Sequence, residues 1–450
     1  MSDIGNPFRR DRRRPALLCF ASFRFVSSRL VSLRVVSAGW FSVRTSTEPA
    51  IHAALSATKR SQAVVPDAMP SRIGAAMCTR MRDRMRDARR AAAMSLFGSA
   101  SHAFHDIHEF HESRRTAMAF KILSCDGGGI RGLITALLIQ DLDRHSGIIA
   151  KADGFAGTST GGLLALALAR GVPISEVVDV YRNRGAEIFQ ENGLWLDQKA
   201  AIATGAESFA ALAGPGYVAC QYVNTGLKRI AQELLRGGDL TELGRLIVIN
   251  SSRMWDPAMR SWSACTFSNA SGNAYRHVAL VDAALATSAA PSYFPPYEVP
   301  RLGYFADGGL FANNPSMTAV AEALASRLGG ALGNLRVLSL GTGISQDGIQ
   351  TSAVGDPLRW GVTTWFWPWE SHGVPASALL GMTLDTTAML ATQQATQLLG
   401  GYYRRANFVL GETVGIDDWR KASLLESETV AYMNTPEWEG VRQWVDANWR

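Results

Sequence analysis

The chain has 450 residues, 47% of them apolar, and a formal net charge of +6. Residues 1–117 hold 20 Lys+Arg against 9 Asp+Glu, or +11, so the remainder holds 25 against 30, or −5. The basic balance thus belongs to one end, which argues against a nucleic-acid-binding protein and leaves a mildly acidic body large enough for a sizeable core. The five cysteines (Cys19, Cys78, Cys125, Cys220 and Cys265) have no C-x-x-C spacing, pointing to a reducing compartment and the cytoplasm rather than a disulfide framework.

Residues 1–117 carry no sustained helical or alternating period, and Arg24, Arg29 and Arg34 interrupt the apolar run 16–40 before it could span a bilayer. A disordered basic extension, sequence upstream of a start at Met118, and an organelle leader all fit this segment. The arginine-rich stretch Arg80–Arg90 reads as a solvated run, with a lipid-facing basic helix as the alternative. His102, His105, His108 and His111 recur every third residue, a spacing that drifts around a helix and completes no metal site.

From residue 118 the pattern changes. Lys121–Cys125 is a short buried-strand run that stops at Asp126 and three glycines, Gly127, Gly128 and Gly129. After Arg131 and Gly132, an apolar run opens a helix. A second strand-turn-helix follows at Gly154-Phe-Ala and Gly157-Thr-Ser159-Thr160-Gly161, a G-x-S-x-G. A turn sharp enough to expose a serine oxygen needs residues without a Cβ on both sides, and it leaves the serine at a helix N-terminus. Unhindered glycine amides in the first turn suit a tetrahedral oxyanion, which acyl transfer requires. Arg131 adds a positive charge beside them.

Further along, Ile174–Phe189 reads as an amphipathic helix and 190–222 as loop with a short helix, a candidate cover. A helix over Val223–Arg236, strands at Leu246–Ile249 and Trp262–Phe267, a helix at Leu280–Ala289 and a strand at Leu335–Leu340 complete the series. Strands alternating with helices predict an α/β fold, a mostly parallel central sheet flanked by helices on both faces, with its crevice beyond the strands' carboxyl ends. Domain limits fall at 1–117, 118–345 and 346–450, the last a helical, aromatic extension packed on the core. Within it, Trp360–Glu370 holds five aromatics in eleven residues, which suits either a lipid headgroup layer or a plug over the pocket.

Two turns, Asp126 to Gly132 and Gly157 to Gly161, together with Asp307-Gly308-Gly309, resemble the signatures of the patatin-like phospholipases. Ala289-Ala-Pro291, Phe294-Pro-Pro296 and Asn313-Asn-Pro315 are similar to that family too, and the resemblance runs from about 118 to at least 343. Cys125 departs from the branched aliphatic more usual there. The resemblance implies a three-layer sandwich related to the α/β-hydrolases, with Ser159 as nucleophile and Asp307 as proton acceptor. The oxyanion hole would comprise Gly127, Gly128, Gly129, Arg131 and Thr160, and Gly132, Gly157, Gly161, Gly308 and Gly309 are the motif glycines. It implies a phospholipid or other acyl-lipid substrate, a peripheral membrane surface as partner, and no metal or other cofactor. Nothing in the sequence sets the oligomeric state.

Competing assignments are weaker. Gly127, Gly129 and Gly132 also satisfy a dinucleotide G-x-G-x-x-G, with Asp153 about twenty residues on. Asp153, however, precedes the second strand instead of ending it, and that reading leaves Ser159 and Asp307 idle. A P-loop lacks its Gly-Lys-Ser/Thr. His277 as a hidden third catalytic member lies in no recognisable motif. A second function class is a lipid-hydrolysing effector silent until a signal molecule such as a cyclic nucleotide binds, as some bacterial relatives of this family are.

Overall fold

The computed structural model describes residues 119–194, 219–367 and 370–450. The basic extension, its histidine and arginine runs, and most of the 190–222 loop lie outside these residues, as do Pro368 and Trp369 in the aromatic stretch.

Five parallel strands form the centre: β1 (Phe120–Cys125), β2 (Gly154–Thr158), β3 (Leu246–Asp256), β7 (Leu335–Leu340) and β8 (Tyr403–Ala406). They stand in the order β3-β2-β1-β7-β8. Their side chains alternate between two cores. Leu123, Phe155, Ile247 and Leu338 pack on one face, and Ile122, Ala156, Val248 and Val337 on the other. Strands buried on both faces read as continuous apolar runs, which is why β1, β3 and β7 were legible.

The first core is roofed by α1 (Gly132–Ser146), α2 (Thr160–Ala169), α3 (Ile174–Asn183), α4 (Thr225–Leu235) and α5 (Leu280–Thr287). The second is roofed by α6 (Ser316–Ala325) and α7 (Ala378–Leu399). The helix expected over Ile174–Phe189 breaks at Arg184, because Gly185 must admit the Trp419 side chain where a Cβ would overlap it. Residues after 345 are integral to the fold. They supply β8, and α8 (Ala422–Met433) and α9 (Pro436–Asn448) bury Leu425, Trp438 and Val445 in the first core. Among the described residues, no helix is long and apolar enough to cross a membrane.

The remaining strands are antiparallel, and they place the site. β4 (Ser261–Ser268) pairs with β3 from Val248 to Asp256 and so occupies one of its two edges. β2 takes the other edge only as far as Asn250. From Ser251 onward that edge is taken by β6 (Gly303–Asp307), which runs back toward β2 with β5 (Tyr297–Val299) beside it. Thr158 faces Asn250 and Asp307 faces Ser251. Two strands therefore meet carboxyl end to carboxyl end along one edge of β3. The sequence predicts a crevice at the ends of parallel strands; Asp307 instead reaches it from the opposite direction.

Candidate active site

Ser159 follows the last residue of β2 and caps α2. Its backbone lies at φ 54°, ψ −124°, a region that a side-chain-bearing residue adopts only under strain. The flanking glycines permit this. A Cβ on Gly157 would overlap the Gly161 carbonyl, and one on Gly161 would overlap the carbonyls of Cys125 and Asp126. The Ser159 amide donates to the Thr287 hydroxyl at 2.8 Å. Below it, Thr158 donates to the Ala312 carbonyl at 2.7 Å and accepts from Asn250 at 3.1 Å. Buried polar partners thus lock a conformation that the serine alone would leave.

Asp307 is buried beside it. The Gly309 amide donates to its Oδ1 at 2.7 Å, and the Ser159 hydroxyl lies within hydrogen-bonding reach of the carboxylate. Burial raises its pKa to about 6, with the Gly309 and Ser159 hydrogen bonds pulling the other way. Such a carboxylate is ionised at neutral pH yet more basic than a solvated one, as a general base should be.

The first glycine turn faces this pair across a cavity lined by Gly128, Gly129, Ser159, Thr160 and Asp307. Expectation and structure part at two residues. The Gly127 amide donates to the Asn313 carbonyl at 3.1 Å, which removes it from the oxyanion donors. Its carbonyl accepts from Thr342 at 2.9 Å, so Gly127 anchors the turn. Arg131 directs its guanidinium away, into an adjoining polar cavity, and donates to the Ser345 hydroxyl at 2.7 Å. Its Nε, also buried, has no partner among the described residues. Burial pushes its pKa down, and the Asp385 and Asp347 carboxylates draw it back up.

Gly128, Gly129 and Thr160 remain as candidate donors. Their amides have no acceptor among the described residues, and Thr160 stands at the first position of α2, where the helix dipole favours negative charge. Gly129 takes φ +59°, and a Cβ there would overlap the Ile416 carbonyl. Gly132 lets α1 approach the Thr160 side chain, and Gly308 approaches the Asn250 backbone where a Cβ would collide.

The cavity is walled by Leu163, Ile188, Phe189, Phe294 and Leu384. Tyr293, Leu380, Leu384 and Ile416 also line the polar cavity, so the two are neighbours. His277, the histidine weighed as a third catalytic member, does not border the catalytic cavity and lies exposed beside Asp239. Asp153 caps the entry to β1 by accepting from the Lys121 amide at 2.8 Å, which accounts for it without a nucleotide. Cys125 is a buried core residue whose thiol burial pushes up.

Sequence reasoning missed Arg405 on β8. Its guanidinium makes a bidentate ion pair with Asp126, the residue that opens the first turn, and donates to Ser339 at 2.8 Å. Burial by itself disfavours both charges, but the contact holds Arg405 above its ordinary value. Nothing local in the sequence signals a partner 279 positions away.

The family model described as patatin-like phospholipase matches residues 123–320. The "cGAMP-activated phospholipase" of Vibrio cholerae is 33% identical over 212 residues, 45% of this chain and 57% of that protein. A protein of the same name from Pseudomonas aeruginosa is 30% identical over 225 residues, 50% of this chain and 62% of its own length. "Patatin-like protein 4" of Arabidopsis thaliana is 30% identical over 285 residues, 56% of this chain and 67% of its own. The match therefore spans less than two thirds of either bacterial phospholipase.

Proposed function

The chain belongs to the patatin-like phospholipase family, and on that premise we propose that it is a serine acyl hydrolase releasing fatty acids from glycerolipids. The observation that carries the reading is the strained serine within reach of a buried carboxylate, opening into an apolar cavity. Ser159 Oγ attacks the ester carbonyl carbon while its proton passes to Asp307. The amides of Gly128, Gly129 and Thr160 hold the oxyanion. Collapse breaks the ester bond, and the departing alkoxide takes the proton from Asp307. Water, deprotonated in turn by Asp307, attacks the acyl-serine, and the fatty acid leaves with Ser159 and Asp307 restored. The apolar walls take the acyl chain, and Arg131 in the neighbouring cavity steadies the turn or receives a headgroup phosphate. The enzyme works at a membrane surface.

The test is fatty-acid release from phospholipid vesicles by wild type, Ser159→Ala and Asp307→Asn. Loss of release in both variants is expected. Release that persists in Ser159→Ala overturns the mechanism.

A second reading rests on the names of the two bacterial relatives. On this reading the hydrolase stays silent until a cyclic dinucleotide binds. Wild-type release measured with and without cGAMP separates the two, since a constitutive lipase is indifferent to it.

A further inference from the structure

Beyond Ser251, β3 continues past the catalytic edge for five residues, about 15 Å at the usual rise of a strand. It turns back as β4, and the shorter β5–β6 hairpin rises beside it. The two tips form one platform. Arg253 Nη2 and Nε donate to the Leu302 carbonyl in the neighbouring turn at 2.8 and 3.1 Å. Arg253, Trp255, Arg301, Leu302 and Tyr304 line the groove between the tips.

This platform is apolar where it meets water. Trp262 is 81% exposed, Met259 69% and Trp255 58%, with Met254 and Tyr304 about half exposed. Among the described residues, no side-chain hydrogen bond or ring contact accounts for Trp255, Met259 and Trp262 standing so open at an antiparallel tip.

It is also locally cationic. Residues 118–450 are net acidic, yet each tip carries an exposed arginine, Arg260 and Arg301. Both sit at positive φ, 52° and 68°, where turns ordinarily use glycine or asparagine. The side chain is thus kept against the backbone's preference. The acid within the β3–β4 turn is already engaged: Asp256 accepts from the Ala258 and Met259 amides and from Ser263. Glu298, on the short hairpin, faces the Tyr304 hydroxyl at 3.4 Å.

We propose that the paired β3–β4 and β5–β6 tips are a membrane-docking finger that seats the catalytic cavity on an anionic phospholipid surface. Indole and thioether groups enter the headgroup boundary, and Arg260 and Arg301 meet lipid phosphates. A lipid surface fits better than a protein partner because the tips mix exposed indoles with arginines that have no ion-pair partner among the described residues. The proposal deepens the lipid-hydrolase reading and rests on it for its biological sense, but it can fail separately.

Binding is measured in the Ser159→Ala background, by flotation with phosphatidylcholine vesicles made with or without a quarter phosphatidylglycerol. Arg260→Gly/Arg301→Gly suits the turn geometry, so it removes charge without threatening the fold. It is expected to weaken binding to the anionic vesicles about 30-fold, each surface arginine contributing about fivefold, and to leave zwitterionic binding unchanged. Trp255→Ser/Met259→Ser/Trp262→Ser is expected to abolish binding to both. In the otherwise wild-type chain, both variants should hydrolyse a soluble short-chain ester normally and vesicles poorly. Binding as tight as the parent's in both variants overturns the proposal. So does a change confined to self-association in size-exclusion chromatography, which would make the finger a contact between copies. Finger-dependent binding by a chain that hydrolyses nothing, with cGAMP or without it, would uphold the finger and sink the lipase.

Discussion

Two turns of this molecule share the tripeptide Asp-Gly-Gly and a buried carboxylate at the end of a strand, yet their electrostatics are opposite. At the end of β1, Asp126 is clamped by Arg405, and the ion pair holds the first glycine turn. At the end of β6, Asp307 has only an amide and the Ser159 hydroxyl for partners among the described residues. A buried carboxylate with a cation is framework, and one without is a base kept reactive by desolvation. The tripeptide does not decide which. A strand contributed from far along the chain does.

The sharpest way to break this contrast is to compare the rates of three variants. Ser159→Ala should lower ester hydrolysis by about 10⁴-fold or more. Asp307→Asn, which keeps shape but cannot accept the proton, should lose about 10²–10⁴-fold in kcat. Asp126→Asn, assayed per folded molecule, should lose no more than about tenfold. Equal losses in Asp126→Asn and Asp307→Asn, with the fold intact by circular dichroism, would erase the distinction.

Stability should order them the other way. Arg405→Met leaves Asp126 buried without its cation, and breaking such a pair costs about 3–5 kcal/mol, read by urea titration. Asp126→Asn/Arg405→Met should recover much of that loss, because no lone charge then remains. Asp307→Asn at pH 7 should not destabilise the chain, since no counter-ion is orphaned.

The pH dependence sharpens the same point. The folded-state pKa of Asp307 is raised, so the native state binds this proton more tightly than the unfolded chain does. Its contribution to stability is fully present below about 3.8 and is lost as pH rises through about 6, roughly 3 kcal/mol in all. Asp307→Asn lacks this loss, so the stability gap between variant and wild type should widen in the variant's favour from pH 4 to pH 7. Activity should move oppositely, kcat/KM rising with pH through about 6 as the base ionises. A stability gap that does not change with pH would show that Asp307 is not desolvated.

What the sequence made legible follows from range. Gly157 was readable because the collision it avoids, with the Gly161 backbone, lies within one strand-turn-helix unit, whereas Gly161 clears the Cys125 and Asp126 carbonyls of the other turn and was readable only as part of the motif. The apolar runs of β1, β3 and β7 announced a doubly covered sheet. The partnership of Ser159 with Asp307 came only through resemblance, since it depends on β2 and β6 sharing one edge of β3, a register that no local pattern encodes. Gly127 and Arg131 were misassigned for a related reason. Their groups are claimed by Asn313 and Ser345, which no spacing ties to the turn.

The smallest expected effect tests how the two turns are held. Thr342 donates to the Gly127 carbonyl at 2.9 Å and is buried at the end of β7. Thr342→Val keeps the shape and removes the donor, leaving that carbonyl with only the long 3.5 Å contact from Asn313. The cost in stability should be about 1 kcal/mol. If the first turn is a framework whose order presents the Gly128 and Gly129 amides, kcat should fall several-fold with KM little changed, because oxyanion donors act chiefly in the transition state. The acid limb near pH 6 should stay where it is, because Thr342 touches neither Asp307 nor its partners. A shifted limb would mean that the two Asp-Gly-Gly turns are coupled, and that the cation at one of them also sets the basicity of the other.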